Sequence, residues 1–476
     1  MAFCNPLKHA RPSWIGKPGS LRAVAFLATF LLGMGAALHS ATAQDDGGLN
    51  IIRDAEIEGA LRSYEDPILK AAGIPPASVR MYLVNDPTLN AFAAQSPMPG
   101  ESEDIFVNTG SFIRMDTPNQ LIGVLAHETG HIAGGHVTRS EVAMRKATIP
   151  MLLSFVLGIA ALAAGAGEAG MGIIQAGQQI AMAQFMEFSR AQEATADQMG
   201  LTFLEKTHQS GEGMVQVFEK MADEQAMTAQ YRNPLATDHP ADRERIDNLE
   251  RRVNASPYRD VKDSPQAVHE FLMIRAKLSG YLSTPSAVLD RWPLSDTSQE
   301  ARYARAIAYS RMPDLPKALD EINVLVKQSP DNPYFWEVLG QIYVGMGQPQ
   351  KGVAPYQKSV DLAPNAPLLR ISLAAAQLAT ENPAMYKPAL DNLHIALRQE
   401  RDNSFGWYEA AEAYSGLGNE PMAELATAER YFSGGSMKMA KQFAFRAAHG
   451  LPKGSSDWQR ATDIVAAAGF ETDSDQ

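Results

Sequence analysis

The second half of the chain repeats itself at a fixed interval, and this restricts its fold more than any other feature. Pro330 and Pro364 stand 34 residues apart, and between them Trp336, Leu339, Gly340 and Tyr343 form a W-x2-L-G-x2-Y string. Ala306, Tyr309 and Ala318 fill matching positions in the preceding copy, and Trp407, Ala410, Ala411, Tyr414 and Ala423 do so in a later one. The copy between them carries Ala376, Ala389, Leu393 and Ala396 and is read with three extra residues near Ala366. A unit of this length buries its apolar face only against a neighbour. Four units with flanking helices at 266–279, 437–449 and 458–468 therefore predict a stacked α-solenoid. An ordinary bundle would supply helices but no constant period.

Ahead of the array, residues 255–265 are polar and carry Pro257 and Pro265, which reads as a linker. The first half mixes strand and helix signals. Val79 to Val84 and Ile105 to Val107 read as strands, with a Pro-, Gly- and acid-rich loop from Gln95 to Asp104 between them, so a hairpin or small sheet is expected. Thr117-Pro118-Asn119-Gln120 combines a capping hydroxyl, proline at the first helical position and Gln three residues on. A helix is expected from Pro118 through His131 toward Gly134-Gly135.

Composition limits the cellular context. The first 43 residues contain Lys8, Arg11, Lys17 and Arg22 but no acid, then an uncharged run from Ala23 to Leu38 and Ala41-Thr42-Ala43. This is the pattern of a secretory signal peptide cleaved after Ala43. Its run is shorter than the ~20 residues that span a bilayer. Cleavage would remove Cys4, the one cysteine, and four positive charges, taking the net charge from −12 to −16. A chain with no thiol suits an oxidising compartment, and a strongly acidic one is no nucleic-acid binder. The expected organisation is 1–43 signal, 44–260 catalytic domain and 261–476 repeat array.

His127-Glu128-Thr129-Gly130-His131 is an H-E-x-x-H motif. Two histidines at i and i+4 project from one helix face and can reach one Zn2+, while the adjacent Glu128 is placed to shuttle a proton. The apolar run LIGVLA just before them makes the helix a buried one, unlike a pair of surface histidines. A hydrolytic zinc site needs a third protein ligand. Glu193 is the best candidate, with Asp197 one helical turn further on to hold a ligand histidine through its other ring nitrogen. By spacing alone the two acids fit a solvated helix face as well.

HETGHIAGGH, then SRAQEATAD with Glu193 62 residues after His131, then His239-Pro240 and Arg245-Ile246, resemble the HtpX and CaaX-prenyl-protease type of gluzincin metallopeptidase. The W-x2-L-G-x2-Y units resemble tetratricopeptide repeats. The implied fold is mainly α with a small β-sheet, a zincin domain followed by a tetratricopeptide solenoid. The resemblance implies that His127, His131 and Glu193 bind one zinc ion and that Glu128 is the general base. Asn90-Ala91-Phe92-Ala93 and Phe106 to Gly110 match the stretch in which an edge strand of this family pairs with extended substrate. His239 would be a removable fourth ligand that keeps the enzyme latent, or else His239 or Arg245 would steady the oxyanion. His136, beyond Gly134-Gly135, is read as supporting the site without binding the metal.

Among secreted, repeat-bearing members the resemblance implies a periplasmic protease for misfolded or stalled outer-membrane proteins, docked on the β-barrel insertion machinery. Two other readings compete: a chaperone or adaptor in which the repeats act alone, and an inner-membrane-anchored protease with an uncleaved N-terminus. Residues 147–167 are uncharged and rich in Ala and Gly. A full span there would separate the two halves of the zinc site, so an interfacial hairpin or lid touching the membrane is expected. If His239 enforces latency, a His239→Ala variant will degrade an unfolded substrate faster than the parent protein; equal basal rates would exclude that role.

Overall fold

The computed structural model describes residues 49–95, 103–136, 139, 152–157, 159, 167–228 and 243–470. The expected signal segment over 1–43 lies outside them. The first half opens with strand β1 (Ile51–Ile52) and helix α1 (Ala55–Ala72), followed by β2 (Met81–Val84), β3 (Ala91–Gln95) and β4 (Glu103–Asn108). Helices α2 (Thr109–Arg114), α3 (Pro118–Gly134), α4 (Gly167–Lys206), α5 (Glu212–Thr228) and α6 (Arg243–Ala255) complete it.

The sheet order is β1-β2-β4-β3. The two strands expected from sequence do not form a hairpin. β2 and β4 run parallel, with Met81 opposite Ile105 and Val84 opposite Asn108, and β3 adds to the far side of β4 antiparallel. Parallel neighbours need a crossover, and here the chain passes through β3 on its way back. Gln95, Glu103 and Asp104, expected in a loop, are paired residues of β3 and β4. Phe92, Phe106 and Tyr82 stack across three strands at centroid separations of 5.0 and 5.2 Å.

Helix α3 has the bounds its capping sequence predicts. Thr117 accepts a bond from the Gln120 amide, Pro118 takes the first turn, and Gly135 ends the helix in the left-handed region at φ 61°. All residues from Leu121 to Ala126 are buried. The helix is packed on several sides, against α1, α4 and α5. A central helix of this kind holds its side chains in fixed rotamers, which a metal site requires.

From Pro265 the chain is helical: α7 (Pro265–Leu282), α8 (Pro285–Arg291), then the pairs α9 (Gln299–Arg311) and α10 (Leu315–Gln328), α11 (Pro333–Gly345) and α12 (Pro349–Leu362), α13 (Pro367–Leu378) and α14 (Pro383–Leu397), and α15 (Ser404–Gly416) and α16 (Glu420–Ser433). Helices α17 (Met437–Gly450) and α18 (Ser456–Phe470) close the array. First helices start at 299, 333, 367 and 404, and second helices at 315, 349, 383 and 420. The period is therefore 34, 34 and then 37. The extra three residues fall at the end of α14 and in the loop 398–403, not near Ala366. The same side-chain bond to the carbonyl six residues earlier recurs in three units: Trp336 to Pro330 at 2.8 Å, Arg370 to Pro364 at 3.0 Å and Trp407 to Arg401 at 2.8 Å.

The inserted loop carries Glu400 and Asp402. Glu400 pairs with Arg53 at 2.7 Å beside β1, and Asp402 pairs with Arg80 at 2.6 Å at the start of β2. A second joint is buried. Lys277 of α7 lies 2.7 Å from Asp54, 3.1 Å from Glu56 and 3.6 Å from Glu337 of α11. The Tyr303 hydroxyl donates to Glu56 at 2.8 Å. One buried ammonium thus faces three carboxylates, of which Glu56 is buried and Asp54 and Glu337 are partly exposed, more negative charge than it can balance.

Residues 152–157 are helical and, with Ile159, expose Leu152, Leu153, Phe155, Val156 and Leu157. Much of the remainder of 147–167 lies outside the described residues. No described helix is long and apolar enough to cross a membrane.

The buried joint sets a pH dependence. Burial pushes the Glu337 carboxyl up to about 7 against the pull of Lys277, and burial also raises Glu56. A raised carboxyl favours the folded state below its unfolded pKa of ~4.5, and this contribution is lost as pH rises through about 7. Thermal unfolding should therefore show a Tm that falls between about pH 5 and 7 and levels off above that. The Glu337→Gln variant should flatten that slope.

Candidate metal centre

His127 and His131 leave α3 on one face, and Glu193 meets them from α4. Their Nε2 atoms are 3.1 Å apart, and the two Glu193 carboxylate oxygens lie 3.4 Å from His127 Nε2 and 3.3 Å from His131 Nε2. All three side chains are buried. Donors on a tetrahedral ion with bonds of ~2.1 Å stand roughly 3.4 Å apart. Two imidazoles and a carboxylate at these separations fit one divalent transition-metal ion, and they are the one such group found among the described residues.

This convergence depends on how closely α3 and α4 cross. A Cβ on Gly130 would stand 2.5 Å from the Ala196 carbonyl oxygen, and one on Gly200 would stand 3.0 Å from that of Ala126. Only glycine lets the two backbones approach so closely.

Behind the convergent atoms lies a charge network. Asp197 Oδ1 is 3.0 Å from His127 Nδ1. Arg245 of α6 grips both α4 acids, with Nη1 2.9 Å from Glu193, Nη2 2.8 Å from Asp197 and Nε donating to Asp197 at 2.9 Å. Its guanidinium lies 5.0 Å over the Phe218 ring, and that ring meets His127 edge-on at 5.2 Å. Burial works against the Asp197 carboxylate, but Arg245 and His127 hold it below its ordinary value. Burial also disfavours a charged His127, yet Asp197 and Glu193 raise it to about 10. Burial lowers His131. The polar core of the site thus pairs each charge with an opposite one.

Glu128 lies beside the ligands and faces the sheet, where its Oε2 accepts from the Ala93 amide at 3.0 Å. The Asn108 amide donates to the Asn90 carbonyl. Alternation along an antiparallel ladder then turns the backbone groups of Ala91, Ala93 and Gln95 away from β4, toward an edge that no other strand among the described residues covers. The Thr129 hydroxyl donates to the buried Glu65 of α1. His136, also buried, approaches His131 Nδ1 at 3.1 Å, and its ring is lowered to about 4, first by burial and then by His131. The loop with His239 lies outside the described residues.

Of the residues singled out in the sequence, α3, α4 and α6 draw together His127, Glu128, His131, Glu193, Asp197 and Arg245, with His136 just past the end of α3. The Arg245 contacts were not visible there, because its partners lie 48 and 52 residues earlier. Phe218 also escaped notice, since an apolar residue of a helix carries no signal of what it touches.

Residues 56–253 match the model of Peptidase family M48. The chain is 23% identical to the "Beta-barrel assembly-enhancing protease" of Escherichia coli (strain K12) over 83% of its own length and 79% of the relative's. It is 24% identical to the "Putative beta-barrel assembly-enhancing protease" of Vibrio cholerae serotype O1 over 85% and 82%, and 29% identical to the "Metalloprotease LoiP" of Escherichia coli (strain K12) over 38% and 64%. The protein is a metalloprotease. Its residues 56–253 are similar to Peptidase family M48, and a helical repeat array follows them.

The helix crossing makes Gly130 a direct test. A Gly130→Val variant should force α3 and α4 apart, lower stability by about 1–3 kcal/mol and lose tight metal binding. Denaturant unfolding and metal titration read the two effects.

Proposed function

We propose that the chain is a periplasmic zinc-dependent endopeptidase that degrades misfolded or stalled outer-membrane proteins and assists their assembly. In this reading 44–260 is the peptidase and 261–476 docks substrates or partners. The observation that carries it is the buried convergence of His127, His131 and Glu193 with Glu128 between them, beside a sheet edge that no other strand among the described residues covers. His127, His131 and Glu193 would hold one zinc ion per chain, and two imidazoles with one carboxylate suit that metal. When bound, zinc supplies a Lewis acid and an acidified water to peptide hydrolysis.

The chain's own residues do the rest. An extended segment adds to the β3 edge through the outward groups of Ala91 and Gln95 and the carbonyl of Ala93, whose amide is held by Glu128. Glu128, beside that edge, takes the proton released by the attacking water and returns it to the leaving amine. Asp197 fixes the His127 ring so that Nε2 faces the ligand position, and Arg245 holds Glu193 and Asp197 at once. With three donors committed to carboxylates, Arg245 is better read as a positioning residue than as an oxyanion donor. His136 supports His131 from behind, and His239 is the candidate latency ligand.

The relatives' names support a link to β-barrel assembly, and the W-x2-L-G-x2-Y units support tetratricopeptide docking of polypeptide. In this reading the described apolar residues of 152–159 touch the membrane surface peripherally.

Glu128→Gln decides between protease and adaptor. The variant should bind zinc with unchanged stoichiometry and lose cleavage of a misfolded outer-membrane protein by about 100-fold or more. Full restoration of envelope integrity by this variant would overturn the protease reading in favour of a repeat-only chaperone.

A further inference from the structure

A small apolar cavity opens beside Glu128. Its volume is about 10 Å3, and its walls come from four elements: Asn90 and Ala91 leading into the edge strand, Met115 after α2, Val124 of α3, and Val217, Phe218 and Met221 of α5. Met115, Val124, Val217 and Phe218 are buried, and Met221 is half-buried at the rim. His127 and Glu128 also line it. A chain lying along β3 with its scissile bond at Glu128 would therefore direct one of the two side chains flanking that bond into this cavity.

The cavity has room for about one water molecule, which is also the size of a methyl group. Its walls are not free to yield. Phe218 is fixed from two sides, edge-on by His127 at 5.2 Å and across its face by Arg245 at 5.0 Å, and Arg245 is itself tied to Glu193 and Asp197. Any retreat of that ring would disturb the charge network behind the ligands. Met221 is half-buried, and its unbranched side chain is the apolar wall most able to rearrange. Apart from Asn90, His127 and Glu128 the lining is apolar, which favours an apolar side chain of that size over a polar one.

We propose that this cavity is the specificity subsite of the peptidase and that it selects alanine, or a comparably small apolar residue, next to the cleaved bond, with Met221 setting the upper size limit. The proposal rests on the peptidase reading above and adds the class of sequence that is cut. Protein that recognises backbone at the sheet edge and a methyl-sized side chain in the pocket cuts extended segments rich in small residues.

Two measurements test it. In the first, fluorescein-labelled peptides identical except for Ala, Val, Leu or Phe at one position are titrated against the full-length Glu128→Gln protein by fluorescence anisotropy. The Ala peptide should bind about tenfold or more tightly than the Leu and Phe peptides. Met221→Ala on the same background should bring the Leu peptide level with or ahead of Ala, and Met221→Leu, of similar volume, should restore the original order. Equal affinities across the series, a preference for Phe, or an unchanged order after Met221→Ala would overturn the subsite. In the second, cut sites made by the wild-type protein in a denatured protein are mapped. Cuts flanked by small apolar residues support the subsite, and cuts indifferent to size overturn it. A wild-type protein that cuts nothing counts against the peptidase reading alone, and the binding series still decides the subsite.

Discussion

Two carboxylates can be buried behind a pair of histidines only if something positive is buried with them. Arg245 meets that condition. It reaches Glu193 and Asp197 together, from a helix more than a hundred residues beyond α3, and leans on Phe218, which touches His127. Breaking one partner from such a network leaves an uncompensated charge in a dry interior, at a cost of about 3–5 kcal/mol. The packing of α3, α4, α5 and α6 is thus bound to the electrostatics of the site, and neither can change without the other.

The sequence made some of this plain and hid the rest, for physical reasons. Helix α3 was legible because its start and stop are local chemistry: a capping threonine, a proline in the first turn and a glycine in left-handed backbone. His127 and His131 followed from one helical turn. Glu193 and Asp197 had the right spacing, but spacing cannot tell a buried acidic face from a wet one; what buries them is the crossing at Gly130 and Gly200. Of the two forms expected for the strand pair, a hairpin or a small sheet, the structure has the sheet; its order stayed hidden because the parallel pairing of β2 and β4 is non-local, and two short apolar runs look the same in either direction. The cavity walls Met115, Val217 and Met221 gave no signal, since an apolar residue beside a void reads like any core residue.

The array shows the same division. Its period was visible where Trp and Tyr mark the first helices, but α13 has neither, and alanine and leucine make up about half of α13 and α14. Their phase was therefore read loosely, and the three-residue addition was put at the wrong end of the pair. Its true position matters, because the longer loop is the one that carries Glu400 and Asp402 to Arg53 and Arg80. Arg80 leads into β2, which pairs with β4, which pairs with β3. A displacement of the array at this loop has a hydrogen-bonded route to the strand beside Glu128.

In three of the four units the first helix bonds to the carbonyl six residues earlier, through an indole in two of them and a guanidinium in the unit between. The two side chains share little beyond length and an N–H at the tip. What is inherited from unit to unit is thus a place for a donor, not a residue. Any long side chain that ends in a donor can stand there, so the array is free to exchange its most recognisable letters while keeping its shape. Identity scores undercount kinship in chains built this way, and a helix pair stripped of its aromatic signature can still be a full member of the stack.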